Sequence, residues 1–131
     1  MSGVKARVTR GSAGSGNLVV HIEGVLDDRP LPMTVLTDCS KLNCKSLRVD
    51  SVAYSIEIPN TLRLYWDGLK PKYIMSLFGI GKLEATWLEF QKPDGDAGEG
   101  FTGNLALASP GSGKGQIVPF MIAFDCTKQG M

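Results

Sequence analysis

Between Ser51 and Gly68 the chain reads SVAYSIEIPNTLRLYWDG, and its apolar residues return at every second position. Val52, Tyr54, Ile56 and Ile58 share one side of an extended chain, and Leu62, Leu64 and Trp66 share one side of the next. Side chains alternate between the two faces of a strand, so a period of two in β-branched and aromatic residues marks half-buried strands and excludes an amphipathic helix. Pro59 and Asn60 stand between the runs and supply turn chemistry. The stretch predicts a central antiparallel hairpin with Leu62, Leu64 and Trp66 facing the core.

The same reasoning extends along the chain. Val4 to Arg10 alternates as VKARVTR and forms a first strand; Gly11 to Gly16, GSAGSG, has no side chains to bury and is expected to be a flexible loop. Residues 1–16 are thus expected to act as a flexible arm ahead of a single domain over 17–131. Leu18, Val20 and Ile22 share a face of the next strand, Val25 to Pro32 is a proline-broken connection or edge, Met33 to Thr37 resumes a strand, and Asp38 to Lys45 is a loop. Beyond Gly68, Tyr73 to Phe78 reads as a strand with a bulge or tight bend, or as one helical turn; Leu83, Ala85 and Trp87 alternate in another strand, and Phe101 to Ala108 holds a short one. Gln116 to Thr127 is an apolar strand whose Pro119 removes a ladder donor and predicts a bulge or an edge position. Turn signals recur roughly every eight to twelve residues, which is the rhythm of two packed sheets. The expected fold is all-β: one β-sandwich or jelly roll of about eight strands.

The chemistry-bearing residues exclude more than they assign. With 131 residues there is material for one core, and a formal net charge of +1 gives no field to attract nucleic acid or an anionic membrane. The first residues lack the apolar stretch of a signal peptide, and no run reaches the roughly 18 apolar residues that span a bilayer, so folding in a cytoplasm is expected. Gly79-Ile80-Gly81-Lys82 and Gly111-Ser112-Gly113-Lys114 lack the leading glycine and the Ser or Thr of a phosphate loop. His21, the one histidine, has no nucleophile motif or marked carboxylate partner, so no catalytic residue is expected and the chain is not read as an enzyme. Cys39, Cys44 and Cys126 are an odd number and read as free thiols; zinc would need His21 to complete four ligands, and a bridge between Cys39 and Cys44 would close only a short loop. Asp94, Asp96 and Glu99 crowd a glycine-rich loop without the spacing of a calcium hand. No cofactor and no metal are expected.

The succession Leu62-Arg63-Leu64-Tyr65-Trp66-Asp67-Gly68, a proline-containing link, Leu77-Phe78-Gly79-Ile80-Gly81-Lys82-Leu83, an acidic glycine-rich loop and Thr102-Gly103-Asn104-Leu105-Ala106-Leu107-Ala108 resembles small virion proteins of tailed bacteriophages. The resemblance covers about Leu47 to Phe124. It implies a structural role without catalysis: a decoration or cement protein on the outer surface of a phage head, made in the host cytoplasm, with the major capsid protein as partner and a dimer or trimer as its own state. A tail or head–tail component, or a carbohydrate- or other ligand-binding β-module, is the alternative. Val4, Lys5, Arg7, Val8 and Arg10 are the candidate partner-binding residues. Lys5, Arg7 and Arg10 are expected on one face of the first strand and Val4, Ala6 and Val8 on the other, so that the strand lies against protein while residues 1–16 serve as a tether.

Overall fold

A computed structural model describes residues 3–10, 17–42, 44–57, 59–84, 102–112 and 116–129. Among these residues there are nine strands and one short helix: β1 (Gly3–Arg10), β2 (Asn17–Leu26), β3 (Leu31–Val35), α1 (Cys39–Leu42), β4 (Ser46–Ile56), β5 (Leu62–Trp66), β6 (Lys72–Leu77), β7 (Gly79–Glu84), β8 (Leu105–Ser109) and β9 (Val118–Gln129). They form a five-stranded sheet in the order β1-β2-β9-β4-β7 and a four-stranded sheet in the order β3-β8-β5-β6. Every pairing is antiparallel. Residues of both sheets meet in one apolar cluster, with Leu18, Val20, Ile22, Val52, Ile56, Ile122 and Phe124 from the larger and Leu62, Leu64, Trp66, Leu105 and Leu107 from the smaller. The all-β sandwich architecture follows from that shared core.

Leu62, Leu64 and Trp66 are buried in that core, but the hairpin expected around them is not formed. β4 pairs with β7 and β9 in one sheet, whereas β5 pairs with β6 and β8 in the other. The turn between them is real: Asn60 donates its backbone N–H and its side-chain amide to the Glu57 carbonyl, at 3.0 and 2.9 Å. It carries the chain across the core instead of folding it back alongside. Alternation reports which face of a strand is buried, and β4 and β5 bury theirs in the same core from opposite sides. Ile58 lies outside the described residues.

Three other expectations change. Asp38 to Lys45 contains a helical turn: Asp38 accepts from the Ser40 N–H at 3.1 Å and from the Ser40 hydroxyl at 2.6 Å. This is the arrangement of a capping carboxylate. The Ser40 hydrogen bond, ahead of smaller contributions, holds the Asp38 carboxyl below its ordinary range. Pro119 sits in β9, the middle strand of the larger sheet, at neither an edge nor a bulge. It is tolerated because it is the second residue of β9 and stands one place beyond the last β4 pairing, Ile56 with Phe120. The third concerns residues 1–16. Gly3–Arg10 is a strand of the larger sheet, paired along its whole length with β2, and Val4 packs against the core. The residues expected as an arm ahead of the domain therefore include an integral strand, while 11–16 lie outside the described residues.

The chain turns between sheets with little connecting structure. β6 ends at Leu77 and β7 begins at Gly79 in the opposite sheet, leaving only Phe78 between them. Gly79 makes the corner with φ 76, a conformation that an L side chain rarely adopts.

Candidate interaction surfaces

Two of the motifs that carry the resemblance, the Asp-Gly after β5 and the Thr-Gly-Asn before β8, meet at one end of the smaller sheet. Trp66 closes β5, and the Asp67 N–H that follows donates to the Asn104 carbonyl at 2.9 Å, while the Thr102 N–H donates to the Asp67 carbonyl at 3.2 Å. The Thr102 hydroxyl donates to the Asp67 carboxylate at 2.8 Å. Asn104 then reaches the third segment: its side-chain oxygen accepts from the Thr37 hydroxyl at 3.0 Å and from the Cys39 N–H at 2.8 Å. The Leu105 N–H donates to the Thr37 hydroxyl at 3.1 Å, and the Cys39 thiol donates to the Gly103 carbonyl at 3.4 Å. Short polar side chains are required here because they satisfy backbone groups that the strand ends leave unpaired. The Asp-Gly and Thr-Gly-Asn motifs thus lace three segments of the chain together.

The remaining chemistry-bearing residues are dispersed. His21 lies in β2, half-buried, between Arg7 and Ala123 in the sheet register. Among the described residues no group of three or more His, Cys, Asp or Glu is placed to hold a metal ion. The acidic positions Asp94, Asp96 and Glu99, with Ala85, Trp87 and Lys114, lie outside the described residues. In the second glycine-rich run the Ser112 N–H donates to the Asp27 carbonyl at 2.6 Å, which ties the loop to the β2–β3 connection. No described helix is long and apolar enough to cross a membrane.

Of the candidate partner-binding residues, Val4 is half-buried against the core; the side chains of Lys5, Arg7, Val8 and Arg10 lie outside the described residues, but their strand positions do not. Register puts Lys5 opposite Glu23 and Arg7 opposite His21, in the rows that turn away from the core. Arg10 pairs with Leu18, in the row of the buried Cys126, and so does not share a face with Lys5 and Arg7 as expected. Among the described residues β1 has a partner on one side only, which makes it an edge of the larger sheet. Sequence alone could not show this, because an edge is a property of neighbours.

Two exposed features were hidden in the alternation. On the outer face of the larger sheet one row runs Glu23, Met121, Ser55, Ile80, and the next pairs Val25 with Pro119. Met121, Ile80 and Val25 are exposed, as are Ile117 just before β9 and Phe78 just before β7. The ends of β2 and β4 and the starts of β7 and β9 therefore share an apolar end of the sheet, with Ile80 at 86% exposure the most prominent member. On the outer face of the smaller sheet Val35, Ala106, Tyr65 and Tyr73 form one row across all four strands. The two tyrosine rings meet edge to face, with centroids 5.7 Å apart. This is a favoured aromatic geometry, and the Tyr73 hydroxyl shares a hydrogen bond with Ser76 Oγ. An outward Met or Ile is indistinguishable in sequence from an inward one until the register is known.

Comparison with protein-family models, with curated proteins and with solved structures finds no match to this chain.

Proposed function

We propose that the protein is a structural virion component that decorates the outer surface of a tailed-phage head, using the β1 edge and the adjoining outer face of the larger sheet to hold the major capsid protein. The observation that carries this reading is the character of that edge. β1 contains Lys5, Arg7 and Arg10 and no acidic residue, and it offers main-chain groups on the side away from β2. An edge strand of this kind discourages pairing with a second copy of itself, since like charges would meet, and suits an extended segment of acidic character. The apolar end around Met121 and Ile80 adds a surface of the kind that marks protein contacts. A repeating lattice multiplies such a contact through avidity, so modest affinity at each site is sufficient.

The test is cosedimentation of the purified protein with tailed-phage capsids that lack their decoration protein. Binding is expected, and it should weaken at least tenfold in a Lys5→Glu, Arg7→Glu variant whose melting temperature is unchanged. Deleting residues 1–16 is the poorer test, because it removes a paired strand as well as a binding edge. Failure of the unmodified protein to bind any capsid or virion part defeats the reading.

One observation favours a second reading, a carbohydrate-binding module. Tyr65 and Tyr73 present a partly exposed aromatic pair on the smaller sheet, and aromatic faces are what sugar rings stack on. Trp66, by contrast, is buried and offers nothing to a glycan. Glycan-array binding that disappears with Tyr73→Ala and survives the β1 charge reversal would establish this reading over the first.

A further inference from the structure

Cys126, far from Cys39 and Cys44 in sequence, joins them in one apolar cluster. Cys39 opens α1, Cys126 lies on β9 between Leu18 and Val49, and both are buried, while Cys44 is partly exposed and packs against the same cluster. Cys39 and Cys44 are the close pair. The Cys44 N–H donates to the Cys39 carbonyl at 3.1 Å, which closes the turn after α1. Both side chains pack against the same apolar cluster, and Cys44 stands close enough to Cys39 to raise its thiol further after burial has done so. A disulfide needs close Cα atoms and side chains aimed at one another. A turn closed by its own backbone holds the two residues near one another, so a bridge between them would move neither sheet.

We propose that Cys39 and Cys44 form a specific oxidisable pair that closes to an intramolecular disulfide in the folded protein, leaving Cys126 as a thiol. The oxidant is a low-molecular-weight disulfide such as oxidised glutathione. Cys44 is the entering group because it is the one solvent reaches: its thiolate attacks one sulfur of the oxidant, forming a mixed disulfide and releasing one thiolate. Cys39 then loses its proton to solvent, and its thiolate attacks the Cys44 sulfur and expels the second thiolate. Two protein thiols are oxidised and the oxidant is reduced to two thiols. Burial pushes the Cys39 thiol up to about 12, and the neighbouring Cys44 and the charge of Asp38 add to it. The second step is therefore slow at neutral pH. The pair stays reduced in a reducing compartment and closes on long exposure to an oxidising medium. Closure exchanges the bond from the Cys39 thiol to the Gly103 carbonyl for a covalent tie within the 39–44 turn. The inference stands apart from the proposed function, since it rests on the turn alone.

The experiment incubates the purified full chain, under native conditions, with oxidised glutathione. Free thiols are then blocked with N-ethylmaleimide before and after unfolding, and tryptic peptides are mapped by mass spectrometry. Cleavage after Lys41 leaves Cys39 and Cys44 on separate peptides, so a bridge appears as one linked species that reductant separates. The expected result is that linked species, with Cys126 labelled only after unfolding, and no intramolecular link in Cys44→Ser. A glutathione adduct that persists on Cys44 while Cys39 remains free overturns the proposal, as does a bridge that forms only in urea or one that involves Cys126.

Discussion

Among the described residues Trp66 is the largest fully buried side chain, and its position is set from both directions: β5 alternation turns it inward, and the chain on either side of it is pinned. Asp67 and Asn104 fix the backbone just beyond it, and Leu105 pairs with it from β8. A site so constrained cannot collapse around a smaller side chain. Trp66→Ala should cost about 3 to 5 kcal/mol, measured by urea unfolding. For a domain of ordinary stability that is a large part of the margin, so an unchanged midpoint would mean that the ring is not in the core. Cys126 gives a second residue-level expectation. Burial, followed by the charges of Asp50 and Asp125, raises its thiol from 9.0 to about 12. The folded protein thus keeps the proton more tightly than the unfolded chain does. The associated stability is fully present below the unfolded value of 9.0 and is lost as pH rises from there towards the folded value of about 12. Unfolding free energies of the unmodified protein and Cys126→Ala should therefore converge over that range; parallel curves would contradict the expectation.

At the scale of elements, the pairing of β4 with β7 depends on a close approach. Gly81 lies opposite Tyr54, and a Cβ at Gly81 would stand 2.7 Å from the tyrosine hydroxyl and 3.0 Å from the ring carbon that bears it. The ring lies over the bare glycine backbone and covers what a side chain would have covered. Gly81→Ala should lower stability by about 1 to 3 kcal/mol, and Tyr54→Phe in the same chain should recover part of that loss. Additive effects of the two changes in thermal melts would show that the residues do not touch. The same strands mark where sequence reasoning succeeds and stops. In β4 the buried apolar positions are Leu47 and Val49 before Asp50 and Val52 and Ile56 after it, a change of phase that a strict period of two cannot follow. The register shift between Val49 and Ser51 explains it, with Asp50 as the extra residue of a bulge. Arg48 holds the Asp50 carboxylate at 2.7 Å, and the Thr127 hydroxyl donates to it at 2.6 Å. Faces were legible from Val52 onward because alternation is local. Partners were not, because nothing in the Ser51 to Gly68 stretch says that β9 lies beside β4 while β8 lies beside β5. The Asp67, Thr102 and Asn104 lacing was legible only as motifs, since its function depends on Thr37 and Cys39, which stand far earlier in the chain.

For the molecule as a whole, the larger sheet is assembled from distant parts of the chain, since β9 pairs with β2 from Asn17 with Thr127 to Leu26 with Val118, and with β4 from Ser46 to Ile56. Closing such loops costs entropy before any contact rewards it, so refolding from urea should occur in milliseconds to seconds; a microsecond phase carrying the whole amplitude would contradict this. The place of β9 in the sheet order has a further consequence during synthesis. It is the last described strand to leave the ribosome, yet it fills the gap between β2 and β4. Until then a nascent chain holds two long strands, each with an unsatisfied row of main-chain groups facing a vacant slot. A polypeptide halted before Val118 would present that slot to its neighbours on the same polysome, where strands of other nascent copies are the nearest material to fill it.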